Sequence, residues 1–292
     1  ISQLDYPRDK FDVIVADDAS TTPTPDVVSE FRELLDIHLV VQPRAVGPAA
    51  ARNCGARISR REYLAFTDDD CAPRTDWLTR IARCLVQNPD AAVGGRILNG
   101  LDENVYSTAS QLLIEYIYGY FNKQPHDAVF LTSNNFALAA KAFHEIGGFD
   151  TRFPRAAAED RDFCDRWRHH GGRIIYESEA TIRHFHAMSF RSFVRQHFNY
   201  GRGAFRCGQL RALRHQEATR REPLAFYANL IRSPRDHDER RLRLQALMFI
   251  TQAANAIGYF ATKFAGRSSI SSVGEYTSQK TECDSSRSER TV

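Results

Sequence analysis

Two short apolar runs, each ending in adjacent aspartates, restrict this chain more than any other feature of its sequence. Phe11-Asp12-Val13-Ile14-Val15-Ala16 runs into Asp17-Asp18-Ala19-Ser20, and Tyr63-Leu64-Ala65-Phe66 runs into Thr67-Asp68-Asp69-Asp70-Cys71. Apolar runs of this length bounded by polar residues read as buried strands entering loops. Three adjacent carboxylates at the mouth of a sheet repel one another. A hard divalent cation offsets that cost, because Mg²⁺ or Mn²⁺ takes one or two carboxylates together with phosphate oxygens. The plain alternative for Asp68 to Asp70 is an N-cap or Asx turn ahead of Pro73.

The intervening residues set the fold class. Val27, Val28, Phe31, Leu34 and Leu35 are spaced as a helix face, and residues 37–41 read as a second strand. Gly47-Pro48 opens an alanine-rich helix to Ile58, with proline in the first turn where helices accept it. Trp77, Leu78, Ile81 and Leu85 mark another helix, followed by a strand from Ala91 to Ile97. Strands alternating with helices predict an α/β fold with a parallel sheet, whose ligands bind at the carboxyl ends of strands. Both acidic loops fall at such ends. Further on come an aromatic helix over 106–121 and a strand over 130–139 interrupted by Ser133-Asn134-Asn135. A turn at 146–150 precedes a helix whose first turn carries Glu159 and Asp160, where the macrodipole favours acids. Strands over 173–176 and 180–183 lead to His184-Phe185-His186.

The 292 residues, 42% of them hydrophobic, suffice for a large core. A formal net charge of +3 excludes a whole-protein polyanion binder, and with no nucleic-acid-binding motif present no nucleic acid is expected as partner. Basic residues are nevertheless concentrated: 13 arginines face five acids between Arg191 and Arg243. Leu244 to Thr262 then runs 19 residues without a charge, close to a membrane span in length. Gln245, Gln252 and Asn255 make a span unfavourable. They favour an amphipathic helix packed on the domain or lying on a membrane, where nearby arginines suit anionic headgroups. The expected division is a catalytic domain over 1–188, an arginine-rich helical segment over 189–266, and a disordered tail over 267–292. Six scattered cysteines without CxxC or zinc spacing suit reduced thiols and a cytoplasmic location. Peripheral contact with the inner face of the plasma membrane is expected through 240–265.

Taken in order, several segments resemble a family 2 glycosyltransferase of the GT-A fold. They are Asp12 to Ser20, Gly47-Pro48-Ala49-Ala50-Ala51-Arg52-Asn53, Phe66 to Cys71, Gly147-Gly148-Phe149-Asp150, and Glu159-Asp160 followed by Phe163 and Arg166. The resemblance spans roughly residues 5–205 and implies a Rossmann-like, mixed but mostly parallel sheet flanked by helices. It implies a nucleotide-sugar donor, UDP-sugar favoured, a glycan or lipid-linked acceptor in cell-envelope synthesis, inversion at the anomeric carbon, and Mn²⁺ or Mg²⁺ as cofactor. Asp17 and Asp18 match the loop that recognises uracil or ribose, and Arg52, with Arg44, falls near the nucleotide or else on a solvated helix face. Asp68-Asp69-Asp70 matches the DxD element, with Asp68 toward ribose and metal, Asp69 beside the nucleotide, and Asp70 the principal metal ligand. Glu159-Asp160 matches the motif supplying the general base, assigned to Asp160. His184 or His186 stands near metal and pyrophosphate, His184 favoured. Arg191, Arg195 and Arg202 lie in a segment that closes over the diphosphate, and Asn134 and Asn135 beside donor or acceptor, or in a strand bulge. No QxxRW element is present, so single-sugar transfer is expected in place of polymer synthesis. One departure stands out: in the family a central first strand and helix lie ahead of the segment matching Asp5-Tyr6-Pro7, so either the sequence is a fragment whose start lies upstream or another segment is expected to fill that slot. A nucleotidyltransferase and a truncated, non-catalytic nucleotide-binding relative are the alternative readings.

Overall fold

A computed structural model describes residues 1–22, 24–155, 157–215, 222–234 and 238–266, so the expected tail over 267–292 lies outside the described residues. In chain order the elements are β1 (Val13–Asp17), α1 (Thr24–Ser29), β2 (Ile37–Val41), α2 (Pro48–Ile58), β3 (Tyr63–Phe66) and β4 (Cys71–Pro73). Then follow α3 (Trp77–Gln87), β5 (Ala91–Asn99), α4 (Val105–Phe121), β6 (Phe136–Ala139), α5 (Ala140–Glu145) and α6 (Glu159–His169). The chain continues through β7 (Arg173–His184), α7 (Phe190–His215), α8 (Leu224–Arg232) and α9 (Arg241–Gly266).

The strands form two sheets. β1 and β2 pair in parallel, while the larger sheet runs β3-β6-β5-β7-β4. The sheet is mixed, as expected, but not mostly parallel: in the larger sheet only β5 and β7 are parallel, and the other three pairings are antiparallel. Alternating apolar runs and helices specify that strands and helices take turns, not the direction in which each strand enters the sheet. β4 went unread because three residues carry no period, and Pro73 is tolerated there because β4 is an edge strand. The two strands expected over 173–183 are one strand, β7, with an irregularity opposite Gly95 and Ile97.

β1 and β3 stand in separate sheets and face one cavity. Among the described residues β1 pairs only with β2 and β3 only with β6, and both strands line one cavity of about 2040 Å³. Val13 to Ala16 stay half-buried along that cavity, unlike Ala92 and Val93 of β5, which are fully buried.

The main core lies between the larger sheet and α3, α5 and α6. Phe66, Phe143, Phe149 and Phe163 form its aromatic centre, with Phe149 and Phe163 ring centroids 5.0 Å apart. Each such buried side chain contributes about 1.5–3 kcal/mol. A second core joins α4, α7, α8 and α9 through Leu113, Phe193, Leu230, Leu244 and Met248. α7 and α9 cross at Gly201 and Gly258, where a Cβ on either would meet the Asn255 or the Phe198 carbonyl of the facing helix. The uncharged stretch is therefore a helix packed on the domain. No helix among the described residues is long and apolar enough to cross a membrane.

Candidate active site

The first acidic loop is held by backbone N–H groups. Ser20 N–H donates to Asp17 Oδ1 at 2.8 Å, and this bond, with a side-chain bond to Ser20, holds the Asp17 carboxyl below the usual carboxylate range. The Asp18 carboxylate accepts from Val46 N–H and Gly47 N–H, both at 2.8 Å. Gly47 has φ of 100°, and a Cβ there would stand 2.6 Å from the Pro154 carbonyl oxygen. Glycine is thus required where the chain turns into α2, and Pro48 follows at the first helical position.

α2 presents Arg52 to two further loops. Its guanidinium donates to Asp68 Oδ1 at 2.7 Å and to Glu159 Oε1 at 3.1 Å, over the Phe149 ring. Burial works to lower the Arg52 pKa, but the charges of Asp68 and Glu159 outweigh it and raise it. Arg52 therefore ties two acidic segments together at the wall of the cavity. Asn53, next on the helix, donates to the Phe149 carbonyl and accepts from Phe149 N–H, at 2.7 and 2.9 Å. Arg166 donates to the carbonyls of Ile146 and Gly148 and pairs with Asp162. These motif residues hold the 146–150 turn against α2 and α6.

The second acidic loop is held at Asp68 by Arg52 and, at its other end, by Phe185 N–H donating to the Asp70 carbonyl. Cys71 N–H donates to the Asp68 carbonyl, and β4 then pairs antiparallel with β7 so that Cys71 lies opposite His184. This register sets Asp70 Oδ2 3.2 Å from His184 Nε2. His186 lies one alternation further on, with its ring centroid 5.2 Å from that of His184. One ligand atom from each of Asp70, His184 and His186 falls within 4.8 Å of the others. Burial pushes the Asp70 pKa up, yet the His184 hydrogen bond and the two imidazoles hold it below the usual value. A carboxylate with two imidazoles suits Mn²⁺ better than Mg²⁺, which prefers oxygen ligands alone. Asp69 is exposed beside this cluster.

Glu159 and Asp160 begin α6 after Ala158, whose φ of 72° lies in the left-handed region. They are adjacent but unlike. Glu159 is buried and fully engaged, accepting from Ala157 N–H as well as from Arg52. Asp160 accepts from Arg161 N–H at 2.7 Å and keeps part of its surface toward the cavity. Burial, then the Glu159 charge, pushes its pKa up to about 7 against the pull of Arg161 and Arg52. A carboxyl so placed can accept a proton near neutral pH.

The cavity gathers Asp17, Asp18, Arg52, Asp68, Asp69, Asp70, Asn134, Glu159, Asp160, His184 and Arg195 from the expected set. Arg191 and Arg202 are not among its lining residues; Arg191 is exposed at the start of α7, and the Arg206 pKa is lowered by burial and then by the nearby charge of Arg202. Arg44 is exposed. Asn135 is fully buried, accepts from Trp77 Nε1 and donates to the Arg96 and Ala180 carbonyls. It holds β5 and β7 together beneath the cavity and does not line it. Sequence reasoning chose between His184 and His186, whereas the structure brings both together; the His-x-His spacing, with period two, was the available signal. Arg155 and Arg161, to which the motifs assign no role, also line the cavity, as does Tyr200 from the segment expected to close over the diphosphate. Burial and then the Asp160 and Glu159 charges push the Tyr200 pKa up.

Comparison with known proteins fits this geometry. Residues 1–147 match the model of Glycosyl transferase family 2, and the chain belongs to that family. It is 30% identical over 213 residues to the pre-mycofactocin glycosyltransferase of Mycobacterium tuberculosis, covering 71% of this chain and 43% of that protein. It is 26% identical over 215 residues to the probable glycosyltransferase YdaM of Bacillus subtilis, covering 68% of this chain and 49% of that protein. The chain thus spans less than half the length of these curated relatives. Among solved structures, the mannosyltransferase PcManGT from Pyrobaculum calidifontis, in complex with GDP-Man and Mn²⁺, aligns with a TM-score of 0.55 at 21% identity, over 91% of this chain and 73% of that one. S. aureus TarS 1–349 aligns with a TM-score of 0.51 at 14% identity, over 92% and 85%. These likenesses bear on the fold, which is the GT-A fold expected from the motifs.

Proposed function

We propose that this chain transfers a single sugar from a nucleotide-diphospho-sugar, a UDP-sugar foremost, to a hydroxyl acceptor with inversion, in a reaction that depends on Mn²⁺ or Mg²⁺. The acceptor is a glycan or lipid-linked molecule of the cell envelope, met at a membrane face. One observation carries the reading: Asp70, His184 and His186 converge at the cavity that Asp160 also lines. The GDP-Man and Mn²⁺ bound to PcManGT support the donor class and the metal, not the base.

Asp70 and the two histidines would hold the cation, with Asp68 toward the ribose. When bound, the cation neutralises charge on the departing diphosphate. Arg195 and Arg155, which both line the cavity, are suited to the phosphate oxygens through their planar donors. Asp160 takes the proton from the acceptor hydroxyl. Glu159, neutralised by Arg52, keeps the base in place and is not itself the base. One base on the acceptor side suffices for inversion, since no paired nucleophile is needed.

The test is nucleoside diphosphate release from UDP-, GDP- and dTDP-sugars with Mn²⁺ or Mg²⁺. Release from at least one donor is expected, abolished by EDTA and restored by Mn²⁺. Asp160→Asn should lower turnover by about 10²–10⁴-fold while leaving nucleotide binding intact. Activity undiminished by EDTA, or an Asp160→Asn enzyme at the wild-type rate, would overturn the mechanism.

A further inference from the structure

α9 is apolar on two sides. Leu244, Leu247, Met248 and Gly258 pack inward against α4 and α7. On the other side Leu242, Phe249, Ile257, Phe260 and Phe264 are 82, 62, 62, 44 and 58% exposed. At 3.6 residues per turn these five fall, with Ala246, Ala253 and Ala256, within an arc of about 100° that contains no polar residue. From Leu242 to Phe264 the stripe is about 33 Å long. A helix on a water-facing surface carries polar residues on its outer side, so an outer face apolar for this length marks a contact.

Charge chooses the occupant. Arg241 to Gly266 contains no aspartate or glutamate, and neither does Leu224 to Arg232 of α8, packed beside it. On the helix circumference Arg241 and Lys263 fall along one margin of the stripe and Arg243 along the other. An acid-free apolar stripe with cations on both margins complements an anionic bilayer: the apolar side chains enter the acyl boundary, and the long cationic ones remain with the phosphates. A second copy docked face to face would set these cations against their own kind without an acid to compensate.

We propose that the outer face of α9 docks the chain, in plane, on an anionic lipid surface. Phe249 and Phe260 also line the cavity that holds Asp160, so the docked face opens the site toward the bilayer and favours a lipid-anchored acceptor; this last clause rests on the proposed transfer reaction.

Vesicle flotation of the full chain tests the docking without any sugar donor, so failure of donor turnover leaves it untouched. Binding to phosphatidylcholine vesicles containing phosphatidylglycerol is expected to exceed binding to pure phosphatidylcholine by at least about tenfold, and to weaken with salt. The double variant Leu242→Glu/Phe264→Glu should lose that binding with its circular dichroism and thermal melt unchanged, because both side chains are exposed and neither lines the cavity. No binding by the wild-type chain, or equal binding by the variant, overturns the proposal. A concentration-dependent dimer in sedimentation equilibrium, abolished by the same variant in the absence of vesicle binding, would assign the face to a second copy instead.

Discussion

Asp17 and Asp18 end one apolar strand, and Asp68 to Asp70 end another, so the two loops look interchangeable in the sequence. In the fold they are held differently. Both Asp18 oxygens accept backbone N–H groups at the start of α2, and Asp17 closes its own turn onto Ser20. Asp68 is tied to Arg52, but Asp70 leaves the sheet beside two imidazoles and Asp69 faces solvent. Acids satisfied by backbone N–H groups shape a pocket; acids set among ligand-type side chains can hold something brought to it. Arg52 links the two loops, since it sits on the helix that the first loop starts and grips the first aspartate of the second.

Substitution should separate the two roles. Asp70→Ala removes the one carboxylate of the Asp70–His184–His186 cluster, and Mn²⁺-dependent nucleoside diphosphate release should fall below about 1% of wild type. Isothermal titration should show weakened Mn²⁺ binding with the melting temperature little changed. A retained Mn²⁺ affinity would break the contrast between the loops. Next in size is a pH effect at Asp160. Its pKa is raised to about 7, so below that pH the carboxyl is protonated and cannot accept the acceptor's proton. The rate should therefore rise about tenfold per pH unit up to about 7 and level off above it, and the slope should vanish in the residual activity of Asp160→Asn.

Asp18→Ala should act on stability first. It leaves the Val46 and Gly47 N–H groups without their acceptor, at a cost of about 1–3 kcal/mol in urea unfolding, with Mn²⁺ affinity unaltered. Loss of metal binding there would make the loops alike after all. The smallest effect concerns Ala19, whose φ of 59° is left-handed. Ala19→Gly should relieve strain of up to about 1 kcal/mol and raise the melting temperature slightly.

Much of the architecture was legible because it follows from local period. The apolar runs of β1, β2, β3 and β5 and the helix faces of α2, α3, α4 and α6 appear in the structure within a few residues of where the pattern set them. Strand direction was not legible, and neither was β4. Asn135 shows the same limit for side chains: a polar triplet in an apolar run reads equally as pocket or bulge. Only packing against Trp77, Arg96 and Ala180 shows what that asparagine is bonded to.

The sequence by itself determined the family, the carboxylates at the strand ends and the order of its motifs, because residue type and spacing survive without coordinates. The tertiary structure alone decided which acids are already satisfied. A carboxylate's role depends on the donors that surround it, and these come from far along the chain: Arg52 for Glu159 and Asp68, Val46 and Gly47 for Asp18, and His184 for Asp70. It also decided that the helix over 241–266 packs on one side and stays apolar on the other. A periodicity can show that two faces are apolar, but not which of them the fold has covered.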